Sequence, residues 1–228
     1  LRIRFNEQFR VLSPQRFVDE IFVAGLGVRY VVLGDDFRFG ADRQGDIAFI
    51  REQGLRYGFE AGSTPTLTIG GERVSSTRIR QALERAGFAT AQALLGRPYS
   101  ISGRVIHGRQ LGTAIGTPTA NVELRRLRAP LSGVYTVEVS GGGLLNAHGV
   151  ANVGVRPTVD DSIKANLEVH VLDRSINLYG RHIEVTFRHK LREEIKFGSI
   201  AELQENIARD IENSRAWFGR SENSMTTL

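Results

Sequence analysis

The sequence has 228 residues, of which 41% are hydrophobic, and its formal net charge at pH 7 is +5. That length and apolar content suit one large or two modest globular domains and exclude a disordered chain. The lack of cysteine excludes disulfides, zinc–thiolate sites and thiol nucleophiles. No apolar run approaches the roughly 20 residues of a membrane span, and the first residues lack the apolar core of a signal peptide, so we expect a cytoplasmic protein with no membrane partner.

The basic residues indicate a phosphate-bearing ligand. All but three of the 30 are arginines, whose planar side chains pair with phosphate groups. Nucleotides and nucleic acids are therefore both candidate ligands. Because the arginines are scattered among 25 acidic residues rather than gathered into a stripe, we do not expect nucleic acid binding.

The first part of the chain has the pattern of alternating helices and strands. Ser13 and Pro14 can cap a helix that ends near Gly25, and residues 28–34 form an apolar run that suits a strand buried on both faces. The later predicted elements are a helix through residues 46–58, a short strand through residues 65–69, and a helix from Ser75 or Ser76 to Ala86. Strands joined by helices indicate a parallel α/β sheet, whose ligand crevice lies beyond the carboxyl ends of the strands.

From Tyr99 the pattern changes to short segments of alternating apolar and polar residues separated by Gly, Asn and Asp turns. This is typical of an antiparallel barrel or sandwich. A closing helix follows, with Ser199 and Glu202 as a capping box. A proline interrupts the helical pattern near residues 95–100, so we predict a first domain at 1–96, a second at 97–218 and a polar tail at 219–228.

The stretch HGRQLGTAIGTPTANV, residues 107–122, has the composition of a phosphate-binding loop. Its glycines are Gly108, Gly112 and Gly116, which let backbone N–H groups approach an anion. Thr119 and Asn121 would share one side of an extended strand and could reach a hydrated magnesium ion on the same phosphates. A long hairpin turn is the alternative that the residues alone leave open.

Glu168 is a candidate general base. It lies in the alternating segment NLEVHVLD, with His170 on the same face two residues later. A phosphoryl acceptor hydroxyl needs such a carboxylate to receive its proton. An ordinary solvated glutamate on a strand is the alternative.

Two ordered sets of motifs resemble a known enzyme family. GTPTANV, GVYTV, GVANVGVRPTV and LEVHVLD, followed by KLREEIKF, are similar to bacterial riboflavin kinases across residues 97–213. Upstream, VVLGDDFRFG and VSSTRIRQAL resemble the adenylyltransferase half of the bifunctional riboflavin kinases/FMN adenylyltransferases, also called FAD synthetases. The resemblance implies a Rossmann-like α/β nucleotidyltransferase domain followed by a six-stranded antiparallel β-barrel kinase domain with a C-terminal helix.

For the kinase half, the resemblance implies a role for each of several residues. Thr119 and Asn121 would bind Mg²⁺ and ATP phosphates, beneath a loop that contains the three glycines. Glu168 would be the base that accepts the proton of the ribityl hydroxyl of riboflavin. Arg192 and Glu194 match a mobile segment near the flavin, for which an exposed, salt-bridging loop is the alternative.

For the first half, the resemblance implies an anion site at a helix N-terminus. Its residues are Ser75, Ser76, Thr77 and Arg78, which would receive ATP phosphates or pyrophosphate. Asp36 and Phe37, in the loop after the first strand, would border the nucleotide and flavin. The family's first βα unit, with its adenylyl-transfer histidines, has no counterpart here, so we expect the sequence to start inside that domain.

The sequence therefore predicts an enzyme of flavin cofactor biosynthesis. It would phosphorylate riboflavin to FMN with ATP and Mg²⁺, and the complete protein would also convert FMN and ATP to FAD. Two alternatives are a catalytically inactive flavin- or nucleotide-binding module and a barrel that binds nucleic acid. Oligomeric state is not predicted.

Overall fold

The computed structural model describes residues 2–108, 116–124, 129–157 and 163–225. The chain divides into two compact units, Leu1–Val74 and Ser75–Leu228. Across the described ranges, no helix combines the length and the apolar character that a membrane crossing requires.

The helices of the first unit begin where the sequence places its caps. They are α1 (Glu7–Arg10), α2 (Pro14–Phe17), which continues as a π-helical turn over Val18–Gly25, and α3 (Ile47–Tyr57), with a short 3₁₀ turn at Ala41–Arg43. The Ser13 hydroxyl accepts a hydrogen bond from the backbone N–H of Arg16 at 3.2 Å, and Asp46 caps α3 in the same way. Val18 and Ile50 are fully buried in the core of this unit.

A small parallel sheet lies beside these helices. It contains β1 (Tyr30–Gly34) and β2 (Glu60–Thr64), while β3 (Thr68–Ile69) and β4 (Glu72–Arg73) form a separate antiparallel hairpin. The strand predicted through residues 65–69 is present only as the short β3, which pairs with β4; the parallel partner of β1 is β2. The expected burial of the first strand on both faces was wrong, because Tyr30 and Val32 are 59% and 55% exposed.

The second unit is built on a closed six-stranded antiparallel barrel, as predicted. Its strands, in the order in which they pair around the barrel, are β10 (His182–Arg192), β5 (Ser100–Ile106), β6 (Ala120–Val122), β9 (Ile163–Val171), β8 (Leu144–Pro157) and β7 (Gly133–Gly141). Alternate residues of these strands, such as Val137, Leu167 and Ile183, are fully buried inside. Because the barrel is closed, each of these strands pairs with a neighbour on both sides.

Two helices that precede the barrel pack against it. These are α4 (Ser76–Glu84) and α5 (Phe88–Leu95), and their Leu83 and Ala91 are buried in the barrel's core. The Phe88 ring lies 5.9 Å from the ring of Tyr135, measured between centroids. The compact unit therefore begins at Ser75, whereas the motif pattern led us to divide the domains at residue 97.

A long helix, α6 (Ile200–Met225), closes the chain and extends beyond the residue 218 at which we ended the domain. The capping box is present: Ser199 Oγ accepts from the backbone N–H of Glu202 at 3.1 Å, and Glu202 accepts from that of Gly198 at 2.8 Å. On its inner side, the buried Ser214 donates to the carbonyl of Gly149 on β8. The helix thus covers part of the outer face of the barrel.

Candidate active site

A row of polar side chains crosses three neighbouring strands on the outer face of the barrel. Asn121 on β6 lies opposite Glu168 on β9, and Glu168 in turn lies opposite Asn152 on β8. Their chain neighbours, including Val122 and Leu167, point into the barrel core. Because side chains alternate along a strand, the three polar groups point outward together.

Helix α6 encloses the space in front of this row. The resulting cavity of about 210 Å³ has a polar wall formed by Thr117, Thr119, Asn152, Glu168 and His170. Its opposite wall is largely apolar and includes Ile195, Phe197, Leu203, Ile207 and Ile211. This division suits a ligand with one aromatic and one hydroxylated part.

A second cavity, of about 330 Å³, lies on the other side of Thr119. It is lined by Val105, Pro118, Ala120 and residues 174–179, and Thr119 belongs to the walls of both cavities. The position of Thr119 allows two ligands, one in each cavity, to meet at a single side chain.

The first glycine of the loop explains the position of Asn121. A Cβ at Gly108 would come within 2.5 Å of Asn121 Cγ, so the backbone there approaches the amide as only glycine allows. Asn121 itself is 8% exposed. Gly116 has a φ of +80°, which also favours glycine. Gly112 lies outside the described residues.

Neighbouring side chains hold Glu168 and the Pro-Thr segment in place. The amide of Asn166 donates to Glu168 Oε1 at 3.0 Å, which fixes the carboxylate orientation. His170 Nδ1 lies 2.9 Å from the carbonyl oxygen of Pro118 and donates to it, because a carbonyl can only accept. The strand that carries Glu168 is thereby tied to the segment that carries Thr119.

Arg192 and Glu194 both line the first cavity; Arg192 is the last residue of β10, and Glu194 is exposed in the segment that follows. Arg192 Nη2 donates to Asp210 Oδ2 at 2.7 Å and its Nε to Asp210 Oδ1 at 3.0 Å, which ties β10 to α6. The Asp210 side chain is only 6% exposed. The Glu194 carboxylate lies against Gly154, where a Cβ would be 2.8 Å from Glu194 Cδ.

Thr119 and Asn121 fit a magnesium ion that arrives with a nucleotide. Mg²⁺ prefers oxygen ligands and keeps several waters, so a hydroxyl and an amide oxygen can complete a shell made mostly of phosphate and water. In the described ranges there is no group of three or more His, Cys, Asp or Glu side chains that could hold a metal by itself. The oxygen atoms of Thr119 and Asn121 are therefore ligands that fit a Mg²⁺ ion bound to phosphates.

The helix-terminus motif retains two exposed hydroxyls. Ser75 caps α4 and accepts from the backbone N–H of Arg78 at 3.2 Å. Ser76 and Thr77 are exposed in the first turn. Ser75 thus caps the helix, whereas the Ser76 and Thr77 side chains are exposed to solvent; an anion site here stays a prediction.

In the first unit, Asp36 and Phe37 have different neighbours. Asp36 forms an ion pair with Arg73, which lowers the pKa of the Asp36 carboxyl. The ring of Phe37 stacks on that of Phe39 with centroids 5.8 Å apart. Phe37 also lines a cavity of about 480 Å³ together with Phe5, Phe9, Phe17 and Phe39. The sequence analysis named Phe37 as a candidate site residue but did not predict the group of aromatic side chains around it.

Two residues of the polar wall of the first cavity were missed by the sequence analysis. Thr117 precedes the PTAN motif, and Asn152 lies within GVANVGVRPTV, so both were inside quoted motifs without being singled out. Their shared cavity with Glu168 follows from strand register and from the packing of α6, neither of which a motif displays.

Comparison with known proteins gives two family matches. A family model described as riboflavin kinase matches residues 95–218, and one described as FAD synthetase matches residues 1–78. The bifunctional riboflavin kinase/FMN adenylyltransferase of Escherichia coli K12 is 50% identical over 219 residues, which cover 96% of this chain and 70% of that protein. The protein of the same description from Pseudomonas fluorescens is 50% identical over 95% of this chain and 69% of its own length.

A solved structure is also similar. It is described as a macrolide-efflux protein from Streptococcus pneumoniae, and it matches with a TM-score of 0.66 and 31% identity, covering 93% of this chain and 68% of that one. The sequence relatives and the two family models confirm both halves of the resemblance that the motifs indicated.

Proposed function

The chain belongs to the bifunctional riboflavin kinase/FMN adenylyltransferase family, and we propose that its barrel unit transfers the γ-phosphoryl group of ATP to riboflavin, forming FMN and ADP. The observation that carries this proposal is the position of Thr119 between two cavities, one of which contains Glu168. A kinase needs a donor and an acceptor that meet at one place, with a base beside the acceptor.

Riboflavin would occupy the cavity that contains Glu168. Its aromatic ring suits the apolar wall from β10 and α6, and its ribityl chain suits the polar wall. ATP would occupy the other cavity, with its phosphates directed toward Pro118 and Thr119. Pro118 and Thr119 then lie at the junction of the two substrates.

In the reaction, Glu168 would accept the proton of the terminal ribityl hydroxyl while that oxygen bonds to the γ-phosphorus. The bond from the γ-phosphorus to the β,γ-bridging oxygen breaks, and ADP leaves. Asn166 orients the Glu168 carboxylate through its 3.0 Å hydrogen bond. Bound Mg²⁺ supplies neutralisation of phosphate charge, and Thr119 and Asn121 would hold it.

The family's second reaction, adenylylation of FMN to FAD, would use different residues. Ser76 and Thr77 at the N-terminus of α4 suit ATP phosphates or pyrophosphate, and Asp36 and Phe37 suit the border of a flavin or nucleotide site. A cytoplasmic location is part of this proposal, since ATP and free flavins are available there.

The test is a chromatographic assay with riboflavin, ATP and Mg²⁺ that measures FMN and FAD separately. We expect FMN to form, and Glu168→Gln to lower kcat much more than it weakens riboflavin binding. Asn121→Ala should remove most turnover with the fold intact, as checked by circular dichroism. A chain that binds riboflavin but makes no FMN would be the inactive binding module instead.

A further inference from the structure

Two buried oxygen atoms near Glu168 lack a hydrogen-bond partner in the part of the chain that the structure describes. They are Thr117 Oγ1 and Asn152 Oδ1. A buried polar atom without a partner costs about as much free energy as a lost hydrogen bond. Such atoms are rare in native proteins, and one explanation is a partner that arrives with a ligand.

Both atoms belong to residues that line the cavity containing Glu168. Asn152 lies directly opposite Glu168 in the register of β8 and β9. Opposed residues on antiparallel strands have Cβ atoms about 5 Å apart, so a ligand that reaches the Glu168 carboxylate also passes Asn152. Thr117 is two residues before Thr119 and lines the same polar wall.

We propose that Thr117 and Asn152 bind hydroxyl groups along the ribityl chain of riboflavin and so direct its terminal hydroxyl to Glu168. This rests on the proposed function, which makes riboflavin the occupant of the cavity. A hydroxyl group can both donate and accept, so it can donate to Asn152 Oδ1 and can pair with Thr117 Oγ1 in either direction. Ile195, Phe197 and Leu203 on the opposite side of the cavity have no hydrogen-bonding side-chain atom, so the hydroxylated end of the flavin suits the wall that contains Thr117 and Asn152.

The test compares riboflavin with lumiflavin, which has the same ring but a methyl group in place of the ribityl chain. Asn152→Leu and Thr117→Val keep nearly the same size and remove the hydrogen-bonding atom. Each should weaken riboflavin binding about ten-fold and leave lumiflavin binding unchanged, as measured by quenching of flavin fluorescence. Asn213→Leu, which removes an exposed amide on α6, is the matched control and should change neither affinity.

The melting temperature of the ligand-free variants shows whether Thr117 and Asn152 contact the substrate or stabilise the fold. Because neither oxygen has a described partner to lose, the melting temperature of the ligand-free variants should not fall. A clear fall, unchanged riboflavin affinity, or equal weakening of both flavins would overturn the assignment. Failure of the proposed function looks different, since the unmodified protein itself would then bind no riboflavin or form no FMN.

Discussion

Gly108→Ala tests whether Gly108 fixes the position of Asn121, the proposed magnesium ligand. The new methyl would lie 2.5 Å from Asn121 Cγ and 2.6 Å from its Oδ1, whereas ordinary contact begins at 3.4 Å. Asn121 must therefore shift by about 1 Å, a displacement that typically lowers the rate of a catalysed reaction about 100-fold. That corresponds to about 2.7 kcal/mol of transition-state stabilisation.

The assay is FMN formation at saturating riboflavin and ATP, with Mg²⁺ varied. The backbone of Gly108 does not have a positive φ, so alanine fits it and the fold should persist. Asn121→Ala in the Gly108→Ala background should add little further loss, because both changes remove the same interaction. Turnover close to that of the unmodified protein in Gly108→Ala would refute the reasoning.

Three further predictions concern stability and charge. Arg192→Met should lower the free energy of unfolding by about 3 kcal/mol in urea titrations, because it leaves the buried Asp210 carboxylate unpaired; an unchanged midpoint would contradict this. Arg73→Gln should raise the pKa of Asp36 in an NMR titration, and identical titration curves would argue against the ion pair. Since Arg73 lowers the folded-state pKa, the stabilisation from this exposed pair is present above the unfolded-state pKa and is lost as the pH falls through the folded-state value. Gly219→Ala should stabilise α6 by about 0.5–1 kcal/mol with activity unchanged, because nothing lies within 4 Å of the added methyl; a loss of stability would show a contact there.

The alternation of core and surface residues predicted an antiparallel barrel or sandwich, and the resemblance to riboflavin kinases then indicated the six-stranded barrel. The second strand of the parallel sheet could not be predicted, since EAGST at Glu60–Thr64 is short, polar and without apolar periodicity. Its place in the sheet comes from pairing with β1, which is a tertiary interaction. The packing of α4 and α5 on the barrel was missed for the same reason.

Some residues of the candidate site could be predicted from the sequence, whereas the contacts between them could not. The resemblance identified Asn121 and Glu168 by type and order, and the register then placed them opposite each other. The pairing of Arg192 with Asp210 joins residues that are 18 positions apart on different elements, so no local pattern displays it. Likewise, an unpaired buried oxygen such as that of Asn152 becomes visible only when its surroundings are known.

The two helices α4 and α5 determine at which residue a folded fragment that contains the barrel can begin. A shortened chain that begins at residue 97 would remove Phe88 from the rings of Tyr135 and Phe187 and would expose an aromatic surface to solvent. Such surfaces favour aggregation, so that fragment should express poorly in soluble form. A fragment that begins at Ser75 keeps the helices with the barrel, and proteases should spare residues 76–95 in the intact protein while the barrel remains folded.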